Sequence, residues 1–307
     1  MRARPDGISV AGAALLAMSL AGCTVNVNTE GATASETHTY KVGASPRITL
    51  DTFDGSIEVH SWDRPEVEVI VEKQAQDESL LQQIVVEQSQ DGDAITLRVR
   101  GPAERGNSGI QIGVVFSPGA KLRVALPKSA SLDLKSGDGS ITVEDVAGTI
   151  VMRSDDGSIV GLRVTGDVRA RTDDGAIRLR ESSGKVDVET LDGSVIVNGT
   201  FTHLRAKTGD GSVRIAVENG STLEDDWAVE TRDGSVEVRL PEGLALMVDA
   251  STSDGSIRSS YPGLTVPART EGDEDRDEDG RQLKATLGQG SRTLRVRTGD
   301  GTIRFES

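Results

Sequence analysis

The chain has 307 residues, with 49 Asp and Glu against 34 Lys and Arg, 35 Gly and only 3% aromatic residues. A net charge of −15 excludes the basic surface from which nucleic-acid binding draws its energy. His38, His60 and His203 are too scattered for a metal cluster, and a single Cys excludes an intramolecular disulfide.

At the N-terminus, Arg2 and Arg4 precede an apolar, Ala-rich run over residues 8–20. That run is too short to span a bilayer and fits a secretory signal. It ends in Leu20-Ala21-Gly22-Cys23, which resembles a bacterial lipobox: small residues for the peptidase, then the Cys that takes the lipid. Residues 1–22 are therefore expected as a lipoprotein signal peptide and Cys23 as the membrane anchor, with each buried CH₂ worth ~0.8 kcal/mol. Thr24 rather than Asp follows the Cys, so in a Gram-negative cell the expected location is the outer membrane. Residues 23–36, polar and rich in Thr, Asn, Ala and Ser, are predicted as a flexible tether of ~20 Å root-mean-square reach. The alternation of Val25 and Val27 offers a frayed strand as the alternative.

Residues 37–128 are predicted as an N-terminal β portion, partly antiparallel, covering one end of the repeats that follow. Ile48, Leu50, Thr52, Asp54, Gly55, Ser56, Ile57 and Val59 already match the repeat template. Strand-like runs follow at 67–71, 84–88, 95–99, 110–116 and 122–126, with a short helical stretch at 77–83. An open stack of strands needs such a cover.

From residue 129 the chain repeats itself to its end, interrupted by an acidic loop at 268–284. Asp138-Gly139, Asp156-Gly157, Asp174-Gly175, Asp192-Gly193 and Asp210-Gly211 are spaced by four intervals of 18 residues. Asp233-Gly234, Asp254-Gly255 and Asp300-Gly301 are further copies, and Asp54-Gly55 an earlier one. Six and four residues before each Asp lie apolar side chains, as in Val186/Val188 and Leu294/Val296. Two before it stands Ser or Thr: Ser136, Ser154, Thr172, Thr190, Thr208, Thr231, Thr252, Thr298. Three and five after it come pairs such as Ile141/Val143 and Ile303/Phe305. Apolar residues thus alternate on both sides of an Asp-Gly turn, which makes two short strands per repeat.

A hairpin would explain the turn but not the constant interval. Parallel stacking of coils explains both, with each residue ~4.8 Å over its counterpart. Four inward side chains cannot offset the ordering of a whole coil, so neighbours must share ladders and core. The outward column Arg171, Glu189, Lys207, Glu230 alternates in sign, as stacked neighbours prefer, whereas Arg153 over Arg171 does not. The fold class is all-β, a parallel β-solenoid.

These residues resemble a bacterial family of β-strand-repeat lipoproteins called putative adhesins, a domain family of unknown function. The matching features are Asp54-Gly55-Ser56-Ile57, Ser61-Trp62-Asp63-Arg64, Val67-Glu68-Val69, Leu126-Pro127 and the run of Thr/Ser-x-Asp-Gly-Ser-Ile/Val turns, over residues 37–307. The resemblance implies a right-handed β-solenoid in an extracytoplasmic place and brings no catalytic residues. Parallel crossovers also prefer the right hand.

The Asp column is the first candidate for chemistry. Carboxylates ~4.8 Å apart repel by about 0.9 kcal/mol in water and ~3.5 kcal/mol at an effective dielectric of about 20. Either a row of Ca²⁺ offsets this, or each Asp accepts hydrogen bonds from its own turn while Gly supplies a positive φ. The second reading is preferred, because the Gly-rich nonapeptide of calcium-binding β-rolls is absent. Asp275-x-Asp277-x-Asp279-Gly280 matches half an EF-hand loop, but Thr286 stands where a bidentate Glu belongs; a solvated loop fits better. Ca²⁺ is thus the sole cofactor candidate, and none is required.

A polysaccharide-processing β-helix enzyme needs carboxylates converging on one sugar. Asp155/Asp156 and Asp173/Asp174 are strand neighbours that point apart, and every coil repeats the same Asp, so no position is singled out. Trp62 and Trp227 could stack on sugars, yet Trp227 falls on an inward position. The expected function is a non-catalytic binding or adhesion scaffold, anchored in the cell envelope, whose partner is an envelope protein or a glycan. An envelope sensor or regulatory partner is the alternative within binding proteins.

Overall fold

The computed structural model describes residues 22–28 (backbone only), 31–102, 117–266 and 281–307. Alternation of buried and partly exposed residues runs through nearly every strand, as in Val195–Thr208 and Leu246–Thr252. The β-branched inward residues suit a pleated sheet. They face one continuous core that takes in Val69 and Leu97 toward one end and Ile257 and Leu283 toward the other.

Each coil, identified below by its turn Asp, contributes one strand before the turn and one after it. Equivalent residues pair in parallel and in register: Ile57↔Ile141↔Ile159↔Ile177↔Val195↔Val213↔Val236↔Ile303↔Ile257. A matching ladder joins the strands before the turn, including Leu50↔Leu134 and Val168↔Val186. Parallel stacking at the expected interval is therefore the architecture. The stack begins before residue 129, because the Asp54 coil lies directly on the Asp138 coil.

A second corner of the coil carries a second glycine column. Gly148, Gly166 and Gly184 have φ of 144°, 119° and 108°. A Cβ on Gly166 would lie 2.2 Å from the carbonyl oxygen of Gly148. Only glycine meets both demands. Three residues earlier, Asp145, Arg163 and Glu181 also sit at positive φ (60°, 51° and 50°). Arg163 Nε lies 2.6 Å from Asp145 Oδ1 on the neighbouring coil. This hydrogen bond leads the causes that hold the Asp145 carboxyl below its usual range.

The ends depart from chain order. At the first end, Ala94–Arg100 and Gly119–Pro127 pair in parallel with the two strands of the Asp54 coil, adding an outer turn with no Asp-Gly. Antiparallel strands then cover it: Val85–Asp91 on one ladder, Glu66–Ala75 and Gly31–Lys41 on the other. The cover, expected to be partly antiparallel, thus combines a parallel outer turn with antiparallel strands laid over it. Asp77 caps the helix Glu78–Leu81 by accepting from Leu80 N at 2.9 Å. The run at 110–116 lies outside the described residues.

The tether expected at 23–36 is corrected. Gly22–Asn28 pairs antiparallel with Gly31–Lys41, which pairs in turn with Glu66–Ala75. The polar composition misled because Glu36 faces inward and is paired with Lys73, while Ala32, His38 and Tyr40 on the same face are buried. At the other end residues 281–284 do not belong to the acidic loop expected at 268–284, since Arg281–Leu287 is a strand antiparallel to Leu246–Thr252; residues 268–280 lie outside the described residues. The chain's last coil does not end the stack either: the Asp300 coil lies between the Asp233 and Asp254 coils.

Candidate binding surfaces

The Asp-Gly edge is built by hydroxyls and bare backbone. Thr190 Oγ1 accepts from Gly193 N at 3.2 Å in its own turn and donates to Gly175 O of the preceding coil at 2.9 Å. Ser136, Ser154, Thr172, Thr208, Thr231, Thr298 and Thr252 each donate to the corresponding glycine carbonyl. These hydroxyl residues are buried, so the bridge runs along the inside of the edge. Thr190→Val keeps the shape and removes the bridge. It is expected to cost about 1–3 kcal/mol, read as a lowered urea midpoint, by leaving Gly175 O and Gly193 N short of a partner. An unchanged midpoint would refute the bridge's role.

The turn glycines serve close approach, which corrects the expected positive φ. Of them only Gly55, at 130°, is positive. At Gly139, Gly157, Gly175, Gly193, Gly211, Gly234 and Gly301 a Cβ would lie 1.9–2.2 Å from a glycine carbonyl oxygen of the adjacent coil. Coils therefore touch backbone to backbone along this edge, and no larger residue fits.

The carboxylates stand outside that bridge. Among the described residues, no N–H donates to Asp138, Asp155, Asp156, Asp173, Asp174 or Asp192, which corrects the expected self-capping. Asp156 is exposed, yet partial desolvation and then the charges of Asp138, Asp174, Asp155 and Asp173, in that order, push its carboxyl above the usual range. Asp54 is raised by burial and by Asp138. Arg232 ends this charge build-up, its Nε lying 3.1 Å from Asp210 Oδ1 and 3.4 Å from Asp233 Oδ2. The edge is thus a row of unneutralised acids on the Asp138 to Asp192 coils, closed by one Arg.

Because the folded pKa of Asp156 is raised, its charge opposes folding at neutral pH, and stability is gained as pH falls through that raised value. Asp156→Asn is accordingly expected to raise the melting temperature at pH 7 and to flatten the acid-side gain. A lower melting temperature would show that the charge is compensated.

Beside this edge the Ser column opens a shallow groove of about 290 Å³, floored by Ser194, Ser212, Ser235 and Thr302 and walled by Ile196 and Arg214. On the opposite ladder Glu189 bridges Arg171 and Lys207 at 3.4 and 3.3 Å, while Arg153 turns to Asp133 at 2.8 Å. That diagonal pair accommodates the like-charged step.

At the first end a cleft of about 680 Å³ is lined by Asp54, Ser56, Glu72, Lys73, Gln74 and Lys121, among others. Behind it Glu36 Oε1 lies 2.6 Å from Lys73 Nζ, and His38 Nε2 lies 3.4 Å from Glu36 Oε2. His38 and Lys73 hold the Glu36 carboxyl down to about 2, against burial that pushes it up. Tyr40, which donates to Gln88, is pushed up to about 12 by burial and by Glu36. The depressed Glu36 value stabilises the fold above about 4.5 and is lost as pH falls toward 2. Glu36→Gln is expected to shrink the fall in melting temperature between those two pH values. An unchanged fall would rule out the pairing as its source.

Trp62 is spent on structure: its Nε1 donates to Glu66 O at 2.8 Å and its ring lies 4.7 Å from the Arg64 guanidinium. Trp227 is fully buried. Leu20 and Ala21, and Asp275, Asp277 and Asp279, lie outside the described residues; Gly22 and Cys23 begin the first strand. Among the described residues no three or more His, Cys, Asp and Glu are grouped to hold a metal ion, and no helix is long and apolar enough to cross a membrane. The hydroxyl column was visible in sequence without its role, and the spacing of Gly148, Gly166 and Gly184 was a signal left unused.

A family model described as Toastrack DUF4097 matches residues 46–306. Among solved structures, a putative cell adhesion protein from Clostridium sporogenes shares 10% identity over 94% of this chain and 99% of its own, with a TM-score of 0.27. A putative adhesin from Bacteroides fragilis shares 12% over 88% and 96%, TM-score 0.41. A putative lipid binding protein from Parabacteroides distasonis shares 12% over 89% and 97%, TM-score 0.34. No curated protein matches the chain.

Proposed function

Because this chain belongs to the Toastrack DUF4097 family, we propose that it is a lipid-anchored, extracytoplasmic binding scaffold without chemistry of its own. The observation behind this reading is the in-register stack. It repeats the turn carboxylate coil after coil, so it offers many similar contacts along one edge and sets no single position apart as a catalytic point. Weak contacts repeated along a rigid face add through effective concentration. The partner is an envelope protein or a glycan, met along the acidic edge and its Ser groove, where a basic or hydroxyl-rich surface finds unpaired carboxylates. The coils wind right-handed, in line with the preference of parallel crossovers. Cys23 holds the scaffold to the membrane, the outer one in a Gram-negative cell.

Glycan arrays probed with the full chain carrying Cys23→Ser test the scaffold: retention with no product formed is expected. Release of reducing ends from a polysaccharide, abolished by one Asp→Asn change, would overturn it in favour of an enzyme. Metabolic labelling with palmitate tests the anchor, with label expected in the natural chain and none after Cys23→Ser. An unlabelled natural chain would overturn the anchor.

A further inference from the structure

The Asp254 coil carries the whole repeat template: Val248, Ala250, Thr252, Asp254, Gly255 and Ile257. It follows the Asp233 coil in the chain, yet the Asp300 coil sits between them. The two contacts it replaces are alike. Thr298 Oγ1 donates to Gly234 O at 2.8 Å, and Thr252 Oγ1 donates to Gly301 O at 3.2 Å. A Cβ on Gly301 would lie 2.1 Å from Gly234 O, and one on Gly255 1.9 Å from Gly301 O. The face that the Asp254 coil presents to Gly301 is therefore the face that would fit Gly234.

The last segment reaches its place by straddling that coil. Arg281–Leu287 pairs with the outer side of Leu246–Thr252 and Thr293–Thr298 with its inner side. The connection crosses the start of the strand so closely that a Cβ on Gly290 would lie 2.2 Å from Leu246 N. Contacts specific to this arrangement lock it: Arg297 Nη2 to Asp249 Oδ2 at 2.8 Å, and Arg239 Nη2 to Glu306 Oε2 at 3.0 Å. Tyr261, after the Asp254 coil, ties the two coils that flank the inserted one by donating to Pro241 O, after the Asp233 coil, at 2.9 Å.

We propose that the Asp254 coil has two seats: it docks first on the Asp233 coil in chain order, then moves one strand spacing outward to admit residues 293–306. The C-terminal coil is thereby an insertable segment, and the stack is closed in either arrangement. Its alternating Leu294, Val296, Ile303 and Phe305 bury only in the second.

Disulfide trapping during refolding of the full chain, with Cys23→Ser, reads both seats. Glu237, Arg304 and Arg258 are successive partners on the outer face. Glu237→Cys with Arg258→Cys are two spacings apart (~9.6 Å) in the inserted form and one (~4.8 Å) in the chain-order form. A disulfide needs Cα atoms within about 7 Å. The pair Arg214→Cys with Arg258→Cys is out of reach in both and sets the background. The 237–258 disulfide is expected several-fold above that background at early times, then to fall as Glu237→Cys with Arg304→Cys begins to cross-link. Gly290→Val, which obstructs the crossing, is expected to prolong the 237–258 species several-fold. A 237–258 yield at background throughout refolding, in both the plain and the Gly290→Val chain, would overturn the two-seat proposal.

Discussion

Gly175→Ala is expected to unfold the middle of the stack, costing about 3 kcal/mol or more in urea unfolding. The added Cβ would lie 2.1 Å from Gly157 O and 2.6 Å from its carbon. Both are backbone atoms, so no side chain can turn aside. Relief requires the coils to part, which breaks Asp174 N to Asp155 O and Ile159 N to Ala176 O and pulls Thr172 Oγ1 from Gly157 O. In a stack whose stability resides in contacts between neighbours, one failed interface uncouples the coils on either side. Gly92→Ala is the control: its φ is 56° and nothing lies within 4 Å of a Cβ there. That change is expected to cost only ~1 kcal/mol, for the left-handed backbone alone. Equal losses at the two positions would mean that close approach is not what demands glycine along this edge.

The stack was legible in sequence because parallel coils put each residue over its counterpart, so the 18-residue interval is the register itself. Inward and outward classes followed from the same alignment: Trp227 and Phe305 are buried, and Arg171, Glu189 and Lys207 pair in line. The order of the coils was not legible. Asp254 and Asp300 carry one template, so nothing local separates an end seat from an inner one, and only the crossing at Gly290 decides. The outer turn formed by Ala94–Arg100 and Gly119–Pro127 lacks an Asp-Gly signal, so its parallel pairing stayed hidden.

The role of the turn glycines was misjudged for a related reason. Asp-Gly in a single chain segment points to a left-handed turn, whereas the constraint comes from the coil next door. Gly148, Gly166 and Gly184 carry the left-handed backbone instead. The acidic edge was legible as residues and not as a site, because outward side chains are free of the packing that makes inward ones predictable. What binds there is written in no interval.

Trp227→Ala is expected to cost about 3–5 kcal/mol and to loosen the C-terminal coil before the centre. Trp227 is among the largest fully buried side chains and meets Phe201 edge-to-face, with ring centroids 6.5 Å apart at 77°. Phe201 pairs with Gly184, so where the second glycine column stops a buried ring takes the place of bare backbone. The two rings pack on each other there, and Ala leaves a cavity that rigid ladders on both sides cannot collapse. Trp227 pairs on one side with Leu294, the first inward residue of the inserted coil. Amide exchange is therefore expected to accelerate at Leu294 and Val296 well before Ile159 and Ile177. A loss under about 1 kcal/mol, or equal acceleration at all four residues, would show that the rings do not join the last coil to the rest of the stack.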